Sequence, residues 1–210
     1  MALSEKHIHI LQKAEKLFSI KGYDATTVRD IAESAEVNPA MISYYFGSKE
    51  KLLEVLFAER MAIGISRVKE IEALKTLNPW QKLQILVDEY INRALQKQDF
   101  YKIMIIEQVT NKNPAVLNYI KDLRLVYVEL IGNIIKEGQK KKIFCKKVDI
   151  AMLLTTMTGT VMHMLINQEF YQQALNVPNM PEKEFHANLT KNLQHHIKTI
   201  FRAILEYEST

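Results

Sequence analysis

Apolar residues recur every three or four positions along nearly the whole chain, which is the spacing that places them on one face of an α-helix. Strand-like alternation is missing, and the 210 residues include only 6 glycines and 5 prolines. We therefore expect an all-α protein of about nine helices. The stripes place these helices over about residues 4–20, 28–35, 39–46, 48–74, 79–97, 99–109, 114–138, 148–168 and from 182 onward.

The stretch from Thr26 to Leu53 combines two short apolar stripes with residues that begin and end helices. Thr27, with an aspartate three residues on, resembles a capping box in which aspartate replaces glutamate. Asn38 followed by Pro39 predicts the start of a second helix. Asparagine caps helices, and proline is tolerated in the first turn because the N–H groups there have no partner within the helix. Gly47 predicts the end of this helix. Two short helices joined by a tight turn indicate a helix-turn-helix, whose second helix can enter the DNA major groove; an ordinary helical corner fits the same spacing.

The first three helices have a small common core in this interpretation. Its members are Leu11, Phe18, Val28, Ile31, Ile42 and Phe46. Because three short helices make a marginal module, we expect the long helix over about residues 48–74 to brace it. The chain then divides into a helix-turn-helix domain over residues 1–50 and a second helical domain over 51–210.

The helix predicted over residues 148–168 carries two apolar stripes rather than one. The second stripe consists of small and apolar residues, namely Ala151, Thr155, Gly159, Met162 and Ile166. A helix that is apolar over so wide an arc must be covered on two sides. Together with the last helix it predicts half of a four-helix interface in a symmetric homodimer; the alternative is that both helices are internal to the monomer.

Charge and composition restrict the class of protein only in part. The net charge is +4, but residues 1–51 contain seven Lys/Arg and seven Asp/Glu, so DNA affinity would depend on a few well-placed groups. One cysteine and the absence of a signal peptide or of a long apolar run favour a cytoplasmic protein. Lys140, Lys141, Lys142, Lys146 and Lys147 form a basic run that we interpret as a solvated loop.

Sequence motifs of enzymes are missing. There is no nucleophile elbow, glycine-rich phosphate loop, metal-binding Cys/His cluster or close carboxylate pair. His195 and His196 lack the spacing that puts two metal ligands on one helix face. We therefore expect neither an enzyme nor a protein with a metal or another cofactor.

Residues 4–60 resemble the N-terminal signature of the tetracycline-repressor-like (TetR) family of bacterial transcription regulators. The matching residues are Leu17-Phe18, Gly22-Tyr23, Thr26-Thr27-Val28, Ile31-Ala32, Val37, Ile42, Tyr44-Tyr45-Phe46 and Ser48-Lys49. The resemblance implies a homodimer through the last two helices, and a C-terminal domain that binds a small-molecule effector. It also implies a repressor that leaves double-stranded operator DNA when the effector binds. The alternative is a helical carrier or adaptor with the same fold and no specific DNA binding.

The resemblance also implies which residues contact DNA. Thr27 and Lys49 match family residues that hold phosphates. The positions that approach base edges are Pro39, Ala40, Met41, Tyr44 and Tyr45. None is Arg, Lys, Asn or Gln, so we expect reading of thymine methyls and DNA shape rather than bidentate hydrogen bonds. Ser43 replaces a phosphate-binding tyrosine of many members, and Glu36 replaces a turn glycine.

Candidate effector contacts lie on the middle helices. They are Met61, Ile65, Leu86, Tyr90, Phe100, Met104, Gln108, Tyr127 and Met164. Methionines suit an adaptable apolar cavity, although plain core packing is the simpler explanation for each single residue. Glu107 is a candidate partner for a cationic ligand, but we expect it on a solvated face instead. His163 is a candidate for a ligand contact, the dimer seam or the core.

Overall fold

The computed structural model describes residues 3–110, 112–145 and 147–206, and within them it contains ten α-helices and no strand. The helices are α1 (Glu5–Lys21), α2 (Val28–Ser34), α3 (Pro39–Phe46), α4 (Lys49–Ala73), α5 (Pro79–Gln96), α6 (Gln98–Thr110), α7 (Pro114–Lys140), α8 (Ile150–Ile166), α9 (Gln168–Ala174) and α10 (Glu182–Glu206). The all-α prediction is confirmed, and α10 is the helix predicted from residue 182 onward.

The additional helix is α9, a single short segment after the apolar α8. It has seven residues and buries none of its side chains. Asn167 separates it from α8, and the two helix axes differ in direction by 85°. Four of its residues are exposed and three are half-buried, so there is no buried apolar stripe from which periodicity could predict this helix.

The chain forms two compact units. Unit 1 comprises Met1–Gly64 and Asp99–Leu123, and unit 2 comprises Ile65–Gln98 and Arg124–Thr210. The boundary between the units therefore falls within α4, after the first residue of α6 and within α7. These compact units differ from the two domains predicted from the sequence, a DNA-binding domain over residues 1–50 and a second domain over 51–210. The predicted domains were defined by function and stay a prediction.

Unit 1 is built around the core that the apolar stripes predicted. Leu11, Phe18, Ile31, Ile42 and Phe46 are buried, and Val28 is half-buried. Burying large apolar side chains supplies most of the stability of such a small module.

Polar contacts also tie α6 to α1 within unit 1. The Asp99 carboxylate accepts hydrogen bonds from Ser19 Oγ at 2.8 Å and from Lys16 Nζ at 3.2 Å. Beyond the other end of α6, Lys112 forms an ion pair with Asp24. These contacts place α6 in the same unit as the predicted DNA-binding helices.

Unit 2 contains a buried lysine with two partners. Lys82 Nζ donates hydrogen bonds to the Glu72 carbonyl oxygen at 2.9 Å and to Glu137 Oε2 at 3.0 Å. A buried ammonium group is tolerated only when it is paired in this way. In the same unit α10 packs against α5 and α8, and Lys198 binds Asp88 with a distance of 2.6 Å.

Part of the basic run lies in the loop that the sequence predicted: Lys141, Lys142 and Lys147 follow α7, whereas Lys140 is the last residue of that helix. Lys140, Lys141, Lys142 and Lys147 are exposed, whereas Lys146 lies outside the described residues.

In the described ranges, no single helix has the length and apolar character needed to cross a bilayer; α8 and α9 satisfy those criteria only as a bent pair.

Candidate nucleic-acid interface

Thr27 begins α2 with the predicted reciprocal cap. Its Oγ1 accepts a hydrogen bond from the Asp30 backbone N–H at 3.1 Å, while Asp30 Oδ2 accepts one from the Thr27 N–H at 2.7 Å. These bonds satisfy backbone donors that the first turn of a helix leaves free. The Thr27 hydroxyl also donates to Asp30 Oδ2 at 2.7 Å. Its predicted contact with a DNA phosphate remains a prediction.

The turn between α2 and α3 has a left-handed residue. Glu36 has a φ of 54°, which places its Cβ close to the following carbonyl oxygen and costs about 1–2 kcal/mol for a residue other than glycine. The substitution of glutamate for the family's glycine therefore leaves the turn geometry in place at a cost in stability.

Helix α3 starts at the predicted residues. Asn38 Oδ1 accepts the Ala40 N–H at 2.9 Å, Pro39 occupies the first turn, and Gly47 ends the helix with a φ of 80°. Ile42 and Phe46 form its buried side. Because both ends and one face are fixed, the opposite face has a defined orientation in unit 1.

The opposite face of α3 is exposed at the spacing of one helical stripe. Ala40, Ser43, Tyr44 and Gly47 are exposed, and the Tyr44 side chain is 80% accessible. Pro39 is exposed as well, whereas Met41 and Tyr45 are half-buried. Helix α3 contains no charged residue, so hydroxyl groups, methyl groups and the backbone are what this surface offers a ligand. The structure thus brings the predicted α3 residues together on one helix, with Met41 and Tyr45 at the margin of the exposed face.

Lys49 has internal partners in addition to its predicted role. Its Nζ donates hydrogen bonds to the carbonyl oxygens of Tyr23 and Thr26, both at 2.9 Å, and lies 4.2 Å from the centre of the Tyr23 ring. The ammonium group has three N–H donors, so one N–H remains for another partner after these two hydrogen bonds. Lys49 therefore holds the segment between α1 and α2 in place through its backbone carbonyl groups. Its contact with phosphate stays a prediction.

His7, which the sequence did not single out, packs against helix α3. Its ring centre lies 4.5 Å from that of Tyr45 and 5.5 Å from that of Phe46. A signal was present in the sequence, because His7 continues the buried stripe of α1 one turn before Leu11. The partner on α3 could not be identified from that stripe, since it depends on how the two helices pack.

The expectation that Glu107 lies on a solvated face is wrong. The residue is 3% exposed, and its Oε2 atom has no hydrogen-bond partner within the described part of the chain. Burial raises the pKa of the Glu107 carboxyl above its ordinary value; nearby Asp24 raises it further and Lys112 opposes the shift. Spacing explains the burial, because Glu107 follows Phe100 and Ile103 on the same face of α6.

The candidate effector residues are divided between the two units. Unit 1 contains Met61, Phe100, Met104 and Gln108, and unit 2 contains Ile65, Leu86, Tyr90, Tyr127 and Met164. Met61, Leu86, Phe100 and Met164 are buried and the others are half-buried.

Polar interactions are defined for Gln108 and Tyr127 among these residues. Gln108 Nε2 donates to the Met104 carbonyl oxygen at 2.8 Å on its own helix. Burial raises the pKa of Tyr127, and neighbouring Arg93 opposes that shift. Their roles as effector contacts remain predictions.

The second stripe of α8 is largely open to solvent in the single chain. Ala151, Thr155, Gly159 and Ile166 are exposed, with Ile166 57% accessible, and Met162 is half-buried. A Cβ added at Gly159 would meet no atom within 4 Å. His163 is exposed as well, which removes the core histidine from the three alternatives and leaves a ligand contact or the dimer seam.

Two family models match this chain. Residues 10–56 match the bacterial regulatory proteins of the tetR family, and residues 79–200 match the tetracyclin repressor-like C-terminal domain. The transcriptional repressor NicS of Pseudomonas putida is 30% identical over 139 residues, which cover 65% of this chain and 64% of NicS. The Bacillus subtilis protein YttP is 30% identical over 135 residues, again covering 64% of that relative. The chain thus spans slightly less than two thirds of these curated relatives.

Solved structures share the fold. The fatty acid degradation regulator FadR from Bacillus halodurans superposes with a TM-score of 0.72 at 20% identity, covering 94% of this chain and 97% of that one. FadR from Bacillus subtilis, solved in complex with stearoyl-CoA, gives a TM-score of 0.68 at 20% identity, covering 91% and 97%. At this level of identity the likeness concerns the fold.

Proposed function

Because the chain belongs to the tetR family of bacterial regulatory proteins, we propose that it is a DNA-binding transcriptional repressor. In this proposal it acts as a homodimer on double-stranded operator DNA and dissociates when a small-molecule effector binds. Residues 1–50 bind DNA, and residues 51–210 bind the effector and form the dimer. The function requires no catalysis and no cofactor, and it belongs in the bacterial cytoplasm, where the DNA is.

The observation that carries the proposal is the exposed face of α3. Ile42 and Phe46 bury one side of the helix in the core of unit 1, while Ser43 and Tyr44 are exposed to solvent. A short helix held in this way after a tight turn is the element that a helix-turn-helix protein places in the major groove.

The chemistry of that face supports reading of shape and methyl groups. Ala40 and Met41 offer apolar contacts to thymine methyls, and Ser43, Tyr44 and Tyr45 offer hydroxyls to phosphates or base edges. The N-terminus of α2 beside Thr27 and the remaining donor of Lys49 are suited to phosphates. We expect part of the specificity to come from DNA deformability, because bidentate side chains are missing from α3.

The proposed dimer uses α8 and α10, the last two long helices. The exposed second stripe of α8 supports it, because an apolar face with small residues at Ala151 and Gly159 permits close helix approach. Two α3 helices related by a two-fold axis would meet successive major grooves about 34–36 Å apart. Effector binding would favour a conformation with a different separation, transmitted along α4, and would release the DNA.

An apolar effector is the class that we favour. The predicted contacts are mostly apolar or aromatic, and they include the buried Met61, Leu86, Phe100 and Met164. The relative solved with stearoyl-CoA shows that a protein of similar fold accommodates a long acyl chain. We propose that this chain binds a ligand with a large apolar part.

The decisive experiment is a mobility shift with the full-length protein and DNA from upstream of its own gene. Excess non-specific competitor and a salt titration accompany it. We expect a band that survives competitor and weakens with salt, by a log–log slope of about 0.9 per phosphate neutralised. If genomic selection yields only weak binding to every fragment, the repressor function is refuted and a carrier or adaptor is favoured.

A matched pair of variants tests the assigned surface. Tyr44→Ala should weaken specific binding, while Tyr119→Ala should not, because Tyr119 is an exposed tyrosine on α7 outside the proposed interface. Equal loss of affinity in both variants would remove α3 as the reading element.

A further inference from the structure

We propose that His7 is a positioning residue for DNA recognition: its imidazole on α1 fixes the orientation of Tyr45 on α3. The inference rests on the proposed DNA-binding function. It adds to the site a residue that acts through another side chain rather than by contacting bases itself.

Two hydrogen bonds hold one edge of the His7 ring. Nδ1 lies 2.7 Å from Ser4 Oγ and accepts the Ser4 backbone N–H at 3.3 Å. The Ser4 Oγ in turn accepts the His7 N–H at 3.5 Å, which completes a capping box at the start of α1. Because a backbone N–H can only donate, Nδ1 is the acceptor, and the ring cannot rotate without breaking these bonds.

The held ring packs against two aromatic residues of α3. Its centre lies 4.5 Å from the Tyr45 ring at an interplanar angle of 62°, and 5.5 Å from the Phe46 ring at 77°. Both are edge-to-face arrangements, which aromatic pairs prefer over direct stacking. Phe46 is buried and Tyr45 is half-buried, so His7 links the fixed side of α3 to its solvent-facing side.

The aromatic packing extends to the most exposed tyrosine. The Tyr45 and Tyr44 rings lie 5.2 Å apart at an angle of 74°. These two phenols are the longest polar side chains of α3, which has no charged residue. Their placement therefore has a large effect on where α3 can donate or accept hydrogen bonds.

A Tyr45 side chain that is already ordered in the free protein loses less conformational entropy when DNA binds. A half-buried tyrosine with no fixed neighbour samples several rotamers, and DNA binding must then select one of them. If packing against His7 already selects it, less conformational entropy is lost when the complex forms. Specific binding should benefit more than non-specific binding, because base contacts require defined side-chain positions and general phosphate attraction does not.

Two substitutions separate this role from that of the helix cap. His7→Gln keeps a side-chain acceptor at the third helical position, as in an ordinary capping box, and removes the ring. His7→Phe keeps an aromatic ring and removes the acceptor. His9→Gln is the matched control, because His9 is exposed on the same helix.

Operator and non-specific affinities of these variants are measured at one salt concentration, together with melting temperature. We expect His7→Gln to weaken operator binding by about threefold to tenfold per protomer with little change in non-specific affinity. His7→Phe should retain operator affinity and lower the melting temperature, and His9→Gln should match the wild type. Wild-type operator affinity in His7→Gln, or an equal loss in His7→Phe, overturns the proposal.

The free protein provides a second measurement that does not depend on DNA. The ring resonances of Tyr45 are assigned by NMR through loss of signals in Tyr45→Phe. They should move toward positions typical of a freely rotating tyrosine in His7→Gln but not in His9→Gln. Unchanged Tyr45 resonances in His7→Gln overturn the proposal even if an operator is found. Absence of specific DNA binding by the wild type, with shifted Tyr45 resonances, refutes the repressor function and leaves the ordering by His7 supported.

Discussion

Lys49 donates a hydrogen bond to the Tyr23 carbonyl oxygen at 2.9 Å while its ammonium group lies over the Tyr23 ring. The side chain that the family resemblance assigns to a DNA phosphate is thus also a structural link between α4 and the chain segment that leads into α2. Loss of Lys49 should therefore have two separable consequences, one for stability and one for DNA binding.

Lys49→Ala should lower the free energy of unfolding by about 1–3 kcal/mol, because two hydrogen bonds from a charged donor are removed. The Tyr23 carbonyl oxygen then keeps only the Thr26 N–H, at 3.3 Å, as its donor. If Lys49 also neutralises phosphates, the log–log salt slope of operator binding should flatten by about one unit for each phosphate that is no longer neutralised. Chemical denaturation and salt titration measure the two effects. Lys51→Ala, at an exposed lysine of the same helix, is the control for stability. A salt slope equal to that of the wild type would refute the phosphate contact while leaving the structural role intact.

Glu36→Gly should stabilise the protein. The φ of 54° at Glu36 disfavours any residue with a Cβ, and glycine removes a penalty of about 1–2 kcal/mol, partly offset by the greater entropy of the unfolded chain. Thermal unfolding followed by circular dichroism measures the gain. Glu33→Gly is the matched control, because Glu33 lies inside α2 and glycine there should cost about 1 kcal/mol. Equal destabilisation by both changes would show that the turn gains nothing from glycine.

Glu107→Gln should increase stability at neutral pH and reduce its dependence on pH. In the folded protein the pKa of Glu107 is raised by burial, so the folded state holds the proton more tightly than the unfolded state. The contribution of the protonated carboxyl is fully present below the ordinary value of 4.5 and is lost as the pH rises through the folded-state pKa.

Unfolding free energies measured by denaturant titration from pH 4 upward, about the ordinary glutamate range, test this sign. The wild type should lose stability relative to Glu107→Gln as the pH rises. Glu129→Gln, at an exposed glutamate, should run parallel to the wild type. A constant difference between wild type and Glu107→Gln across the range would contradict a raised pKa at Glu107.

Ile166→Asp should dissociate the proposed dimer. A carboxylate placed on the exposed apolar stripe of α8 would be buried without a partner if two copies meet there. Molar mass from light scattering, measured over a range of protein concentrations, should fall from twice the chain mass of 24.4 kDa to the single value. Operator affinity should fall with it, because two recognition helices no longer bind together.

Val109→Asp is the control for this surface, since Val109 is 79% exposed on α6 in unit 1 and lies outside the proposed dimer helices. It should leave the molar mass unchanged. A dimer that persists in Ile166→Asp would show that α8 does not form the interface, and a wild-type monomer would remove the dimer from the proposed function.

Local signals in the sequence determined most of the helix-turn-helix. Thr27 with Asp30, Asn38 with Pro39, and Gly47 act on backbone groups within a few residues of themselves, so the starts of α2 and α3 and the end of α3 were predictable without knowledge of the rest of the chain. Apolar periodicity likewise determined which side of α3 is buried, because Ile42 and Phe46 are one turn apart.

Tertiary structure decided what distant residues do together. The partners of Lys49 lie 23 and 26 residues earlier in the chain, and His7 meets Tyr45 only because α1 and α3 pack in one unit. Neither contact has a local signal, since side-chain contacts between helices depend on their relative position and rotation. Glu107 shows the limit of residue type as a guide: its charge favours the surface, but its place on the apolar face of α6 puts it inside, and the packing of that face outweighs the preference of one carboxylate for water.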